Sequence, residues 1–115
     1  MSGNTGNYIL FAGGSSREYG ILTEVDAYNS SLSKTQATNL SNQPYAGGNV
    51  SSYALFPNSS STDTYNTSLT RTQSQKLSLP SSGLTNSSMS NYSLFGGGSV
   101  DSDNSIVQAY NSSLT

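Results

Sequence analysis

The chain has 115 residues, of which 32% are hydrophobic and only 9% are charged, and its formal net charge is −2. This length fits one domain at most, and the few basic residues form no stripe that could neutralise phosphates, which argues against nucleic-acid binding. Cysteine is absent, so disulfides and thiolate sites are excluded. Eight Tyr and three Phe among abundant Ser, Asn and Gly are typical of short strands joined by turns rather than of a disordered chain.

The N-terminal segment "MSGNTGN" has neither the basic nor the apolar region of a signal peptide. The longest apolar run, Tyr8 to Ala12, is far too short to span a membrane. We therefore predict no membrane insertion and no secretion signal.

An aromatic and aliphatic phrase occurs three times, as "NYILFAGG" from Asn7, "SYALFPNS" from Ser52 and "NYSLFGGG" from Asn91. Both alternating sets of residues are apolar in the first copy, which predicts a strand buried on both faces. The expected buried equivalents are Phe11, Phe56 and Phe95, with Leu10, Leu55 and Leu94 on the opposite side of the same strands.

The residues that follow this phrase predict how each strand ends. The pairs Gly13-Gly14 and Gly97-Gly98 allow positive φ or close backbone approach where the strand leaves the sheet. The middle copy has Asn58-Ser59 instead, preceded by Pro57. Because Pro57 cannot donate a ladder hydrogen bond, we expect the middle strand to end there and the middle unit to be the least regular.

A second phrase follows each time, as "VDAYNSSLSKTQ" from Val25, "TDTYNTSLTRTQ" from Thr62 and "VQAYNSSLT" from Val107. It predicts a strand and then a turn, because Asn and Ser side chains bond to nearby backbone groups. The polar, Thr-rich segments "KTQATNL" and "RTQSQKL" are expected to form exposed outer strands. Pro44 and Pro80 then end the units, since proline blocks further strand pairing.

The spacing of the two phrases indicates a modular array. The tyrosine of the first phrase recurs after 45 and 39 residues, and that of the second phrase after 37 and 45 residues. A fixed order with such a period is typical of repeat proteins. The units are predicted at approximately 1–43, 44–79 and 80–115.

These phrases resemble the kelch repeat of β-propellers, and are most similar to the Asn/Ser-rich kelch-like arrays of bacteria and phages. In that family a strand ends in Gly-Gly, a second strand ends in Tyr before a turn, and an outer strand follows; "YILFAGG" with "VDAYNSSL" and "YSLFGGG" with "VQAYNSSL" match the first two elements. The chain departs from the family in the middle Gly pair, in the outer-strand Trp, and in the Arg that often follows the proline between units. The resemblance implies an all-β fold of kelch-like antiparallel blades.

About two and a half repeats are present, whereas a propeller needs roughly four to eight blades. The sequence therefore predicts an incomplete propeller or another repeat sheet assembly: either several chains share one ring, or the repeats form another kind of sheet assembly, or the chain is part of something longer. The opening "SGNTGNY" aligns with "GGNVSSY" and so keeps a short inner strand, while the third unit stops before its outer strand. Such an edge is a template for another chain. We expect a homo-oligomer, or docking onto a larger assembly, with main-chain pairing at both termini.

Candidate residues for chemistry are few. His and Cys are absent, which removes the commonest general base, metal ligand and activating partner for serine. Asp26 and Asp63 occupy equivalent repeat positions and are interpreted as structural, and the segment "VDSDNS" from Val100 as a solvated turn rather than a calcium loop. No catalytic residue, cofactor or metal site is predicted. Tyr19 and Tyr45 lie outside both phrases and are the candidates for a glycan-binding surface.

The leading interpretation is a non-enzymatic structural or adhesive subunit, namely a virion component of a phage. The composition is typical of extracellular proteins, and a phage protein leaves its host by lysis without a secretion signal. The alternative is a carbohydrate-binding module from a longer bacterial surface protein. The expected location is a virion or the extracellular or cell surface. Asn-x-Ser/Thr triplets are left open as glycan acceptors; they begin at Asn29, Asn39, Asn49, Asn58, Asn66, Asn86, Asn91 and Asn111.

Overall fold

The computed structural model describes residues 1–99, 102 and 105–115, and within these the protein is all-β. The first sheet contains β1 (Ser2–Asn4), β2 (Ile9–Ser16), β3 (Gly20–Tyr28) and β4 (Lys34–Ala37). The second contains β5 (Gly48–Val50), β6 (Tyr53–Pro57), β7 (Thr62–Tyr65) and β8 (Arg71–Ser74). The third contains β9 (Ser82–Ser88), β10 (Tyr92–Ser99) and β11 (Val107–Asn111).

Every sheet is antiparallel, and its strands lie side by side in chain order. None of the three sheets closes on itself in the described part of the chain. The predicted all-β class is therefore confirmed. The segments "KTQA" and "RTQS" form β4 and β8, the last strands of their sheets, as expected, but they are only partly exposed because Ala37 is buried and Arg71 and Ser74 are half-buried. No helix in the described ranges is long and apolar enough to cross a membrane.

The three sheets repeat one pairing register. The phenylalanine of the first phrase lies opposite Asp26, Asp63 or Gln108 of the second phrase, and the tyrosine of the second phrase lies two positions further along its strand. That offset places a phenylalanine and a tyrosine diagonally on one face of each sheet. Their rings meet edge to face at centroid distances of 6.0, 5.9 and 6.1 Å, the geometry that aromatic quadrupoles favour. The pairs are Phe11–Tyr28, Phe56–Tyr65 and Phe95–Tyr110.

The turn after the second phrase also has one geometry in all three sheets. Its asparagine side-chain oxygen accepts the backbone N–H groups of residues two and four positions later. The leucine three positions after that asparagine has φ of 60°, 61° or 62°, in the left-handed region. The predicted turn chemistry is thus confirmed for Asn29, Asn66 and Asn111. Leu32, Leu69 and Leu114 are the leucines with positive φ.

The sheets stack with the second sheet in the middle. We call the side of a sheet that bears Leu10, Leu55 or Leu94 its Leu face, and the opposite side its Phe face. The Leu face of the first sheet and the Phe face of the second form one apolar cluster, which includes Leu10, Val25, Phe56 and Tyr65. The Leu face of the second sheet and the Phe face of the third form another, which includes Val50, Leu55, Phe95 and Tyr110.

The prediction of burial on both faces is correct for the middle sheet and wrong for the outer two. Phe56, Leu55, Phe95 and Leu10 are fully buried, as expected. Phe11, however, is 54% exposed and Leu94 is 41% exposed. The reason is position in the stack, because an end sheet has a neighbour on one side only.

The glycine pairs do not end their strands, contrary to expectation. They have positive φ, but β2 continues past Gly14 to Ser16 and β10 continues past Gly98 to Ser99. In the middle sheet β6 ends at Pro57, as predicted. Its pairing with β7 is regular, whereas the register between β2 and β3 shifts between Ala12 and Gly14. The middle sheet is therefore not the least regular, because the left-handed glycines distort the outer ladder more than Pro57 distorts the central one.

The first sheet has its inner strand, since β1 pairs with β2 and Met1 exchanges backbone hydrogen bonds with Ala12. The third sheet has three strands in the described region, with β11 at its edge. The predicted turn at "VDSDNS" depends on Asp101, Asp103 and Asn104, which lie outside the described residues.

Candidate functional site

The segments that connect consecutive sheets are bound by the sheet that follows them. After β4 the chain places Leu40 in the first apolar cluster, and after β8 it places Leu77 in the second. In both cases the tyrosine of the next sheet donates its hydroxyl proton to the segment. Tyr65 donates to the Thr38 carbonyl at 2.5 Å, and Tyr110 donates to the Gln75 carbonyl. Each junction therefore has two parts, a pair of apolar faces and a captured segment.

The residue opposite the phenylalanine captures the same segment a few positions later. The Asp63 carboxylate accepts the Ser41 backbone N–H at 2.7 Å and the Ser41 hydroxyl at 2.8 Å. The Gln108 amide accepts the Leu79 N–H at 2.7 Å and donates to the Leu79 carbonyl at 2.9 Å. Asp63 is fully buried, so these bonds replace the water that a carboxylate needs. The structure thus assigns Asp63 and Gln108 a role in holding sheets together.

Burial changes the chemistry of the two tyrosines at these junctions. Removal from water raises the pKa of Tyr65 well above its ordinary value, and raises the pKa of Tyr110 as well. In the second case the Thr62 hydroxyl, 2.6 Å from the tyrosine oxygen, partly opposes the rise in pKa. Both phenols therefore stay protonated, which keeps them donors to the captured carbonyls.

The first sheet has the same two positions, but no sheet precedes it in the described chain. Tyr28 is half-buried beside the exposed ring of Phe11. Asp26 pairs instead with Lys34 of the neighbouring strand at 3.0 Å. The hydrogen bond from Lys34 to Asp26 raises the pKa of Lys34. Tyr28 and Asp26, which are equivalent to the tyrosine and to the Asp63 or Gln108 of the later sheets, therefore bind no connecting segment among the described residues and face outward.

Two apolar surfaces are exposed as a result, one at each end of the stack. The Phe face of the first sheet exposes Ile9, Phe11 and Leu32. The Leu face of the third sheet exposes Tyr92, Leu94 and Val107. Isolated exposed apolar side chains are ordinary, but contiguous patches mark interaction surfaces. These end faces are the first candidate site.

A second candidate lies along the inner edge, where β1, β5 and β9 approach one another. An open depression of about 510 Å³ is lined by Asn4, Asn49, Asn86, Ile9 and glycine backbone. The Asn4 side-chain amide lies 3.4 Å from the Asn49 side-chain oxygen, and the Asn49 N–H donates to the Ser88 hydroxyl at 3.2 Å. A Cβ at Gly48 would lie 2.5 Å from the Asn86 side-chain amide, which would have to move to admit it.

The two tyrosines predicted as glycan contacts are not brought together in this depression. Tyr19 is 73% exposed in the turn between β2 and β3, where its N–H donates to the Ser16 hydroxyl at 2.8 Å. Tyr45 is half-buried against the second apolar cluster. Neither lines the inner-edge depression, and their binding role stays a prediction.

The described residues contain no group of three or more acidic side chains close enough to hold a metal ion. Sequence reasoning missed both the end faces and the captured segments. A signal for the segments existed, because "KTQATNL" and "RTQSQKL" both end in leucine at one repeat position. No protein-family model matches the chain, and no curated protein matches it.

Proposed function

We propose that this protein is a non-enzymatic structural or adhesive subunit, a component of a phage virion or of another extracellular surface, built from kelch-like blades of an incomplete propeller. One observation supports the proposal most strongly. Each end of the stack exposes an apolar face whose equivalents inside the chain are buried. A module of this kind is suited to adding onto further sheets.

The composition supports the same role. Few residues are charged, and cysteine and histidine are absent, so the usual general bases and nucleophile activators are missing from the chain. The buried Asp63 already has hydrogen-bonding partners in a junction between sheets. Polar side chains that are fully engaged in packing support a scaffold better than a reacting centre.

Mass spectrometry of purified phage particles tests the virion assignment. The proposal expects peptides of this chain in particles that have been washed free of host lysate. Absence of those peptides, with other minor virion proteins detected in the same sample, would overturn the assignment.

A carbohydrate-binding module is the second candidate, favoured by the amide-rich depression at the inner edge. Side-chain amides beside an apolar side chain suit the hydroxyls and faces of a sugar ring. A glycan array should then give binding that Asn49→Ala weakens, because Asn49 lines the depression. Tyr19→Ala and Tyr45→Ala test the positions predicted from sequence. No binding at millimolar sugar would remove this candidate.

A further inference from the structure

Both junctions inside the chain have the same polarity. The Leu face of the first sheet packs against the Phe face of the second, and the Leu face of the second packs against the Phe face of the third. Sheets therefore add in one direction, each with two different and complementary faces.

The exposed Phe face of the first sheet carries the same phenylalanine and leucine positions as the Phe faces of the second and third sheets, which are covered by the preceding sheet. Phe11 is 54% exposed, whereas Phe56 and Phe95 are fully buried. Leu32 is 78% exposed, whereas Leu69 and Leu114 pack against the two apolar clusters. A leucine at positive φ is strained, and at the two covered positions this strain is offset by burial. At Leu32 the strain remains while the side chain is in water.

The exposed Leu face of the third sheet matches a face that is already buried. Its residues have the same types and register positions as three fully buried residues of the first sheet. The matched pairs are Leu94 with Leu10, Val107 with Val25, and Ala109 with Ala27. Val107 is 65% exposed, against complete burial of Val25.

We propose that the Leu face of the third sheet binds the Phe face of the first sheet in a second copy of this chain. The contact is head to tail, because the two faces differ. Two copies of the described region hold six sheets, within the roughly four to eight blades of closed propellers, whereas three copies would exceed that range. The expected assembly is a closed dimer in which each copy offers both faces.

This contact differs from the pairing of main-chain edges expected from sequence. The two end faces supply apolar side chains, and the exposed residues of the Leu face have no charge to desolvate (Met89, Tyr92, Leu94, Val107 and Ala109). On the Phe face, the carboxylate of Asp26 is already paired with Lys34. Glu24, two positions before Asp26 on the same strand, is also exposed on this face, and its negative charge helps to raise the pKa of Lys34. Among the described residues the Leu face therefore carries no charge, whereas the charges of the Phe face are two carboxylates beside one ammonium group.

The inner edge of the proposed junction must be wider than that of the internal ones. Inside the chain, a Cβ placed on Gly3 would lie 3.1 Å from the Cβ of Ala54. The equivalent positions between copies are Ser87 and Ile9. The larger side chains separate β9 of one copy from β2 of the other without changing which residues face each other.

Complementation between two charged variants tests the proposal. Phe11→Glu places a carboxylate on the Phe face, and Leu94→Glu places one on the Leu face. Both side chains are substantially exposed in the single chain, so each variant should fold, as circular dichroism will show. Ile9→Glu and Val107→Glu are second variants for the two faces. Tyr19→Glu adds the same charge at an exposed aromatic residue outside both faces and is the matched control.

Native mass spectrometry and sedimentation should find a dimer for the parent chain and for Tyr19→Glu. Each face variant alone should associate at least about tenfold more weakly, because an unpaired carboxylate enters an apolar contact. An equimolar mixture of Phe11→Glu and Leu94→Glu should regain a 1:1 dimer, since one retains an intact Leu face and the other an intact Phe face. A monomeric parent chain at micromolar concentration would overturn the proposal, as would unaltered dimerisation of Leu94→Glu or a mixture that stays monomeric.

The proposed dimer rests on the structural role proposed above, but different results would refute the dimer and the virion role. A monomeric chain that is present in purified particles refutes the dimer and leaves the virion role intact. A chain that forms the dimer but is absent from purified particles refutes the virion role and leaves the dimer intact.

Discussion

The three phenylalanines of the first phrase should contribute very unequally to stability. Phe56 and Phe95 are fully buried between sheets, whereas Phe11 is 54% exposed. Replacement of a buried phenylalanine by alanine removes its transfer free energy and leaves a cavity, which costs about 3–5 kcal/mol. Phe11→Ala loses only the buried half of the ring and leaves no enclosed cavity, so about 1 kcal/mol is expected. Position in the stack alone accounts for the difference.

Urea denaturation, followed by tyrosine fluorescence and far-ultraviolet circular dichroism, measures these free energies of unfolding. Each variant should be made in the Leu94→Glu background, because the proposed dimer would otherwise add to the effect of Phe11→Ala. With a slope of about 1–3 kcal/mol per molar urea, Phe56→Ala should lower the midpoint by roughly 2 M. Domains of total stability near 5–15 kcal/mol tolerate this change poorly.

Phe95→Ala is the matched comparison, with a loss expected to equal that of Phe56→Ala. A loss for Phe11→Ala as large as for Phe56→Ala would refute the stacking order, since it would require a covered Phe face on the first sheet of the single chain. A loss below about 1 kcal/mol for Phe56→Ala would show that the junction between the first two sheets contributes little.

Two further predictions concern the junction tyrosines and the strained leucines. Stability should be constant up to about pH 10, the ordinary tyrosine pKa, and fall above it. The reason is that tyrosines ionise there in the unfolded chain, while Tyr65 and Tyr110 keep their protons in the folded one. Tyr65→Phe should flatten this fall, and an equally steep fall would contradict the assignment. Leu32→Gly should stabilise the unassembled chain by about 0.5 kcal/mol by relieving positive φ. Leu69→Gly relieves the same strain but should lower the free energy of unfolding by about 1 kcal/mol net, because it removes packing in the first apolar cluster. Equal losses of stability for Leu32→Gly and Leu69→Gly would be inconsistent with the difference in burial.

Local patterns in the sequence predicted the elements of each sheet well. The Asn29, Asn66 and Asn111 turns follow from side-chain bonds to neighbouring backbone groups, which need no information from elsewhere in the fold. The end of β6 at Pro57 is local as well, because proline lacks the N–H that the ladder would require. The repeated register between the two phrases follows from their constant order.

Burial of whole faces could not be predicted in the same way. Phe11 and Phe56 occur in nearly identical phrases, yet one is exposed because nothing precedes its sheet in the described stack. The prediction that the strands end at Gly13 and Gly97 was also wrong, because a residue with positive φ can lie in a strand that continues through a bulge. Asp63 was interpreted as structural, and in the structure it accepts hydrogen bonds from Ser41, which is 22 positions away in sequence and which no pattern identified.

Disulfide trapping between two single-cysteine chains tests the head-to-tail contact most directly. The chain has no native cysteine, so Ser87→Cys in one preparation and Ile9→Cys in another give each chain one thiol. These positions correspond to Gly3 and Ala54, which face each other across an internal junction, and a disulfide needs Cβ atoms about 3.5–4.5 Å apart.

After mild oxidation of the mixture, we expect a cross-linked species of twice the 12.0 kDa chain mass that contains one chain of each kind. Each variant oxidised alone is the control and should stay largely uncross-linked. Homodimers formed as readily as heterodimers, or no cross-link in a mixture that sediments as a dimer, would contradict a Leu face bound to a Phe face.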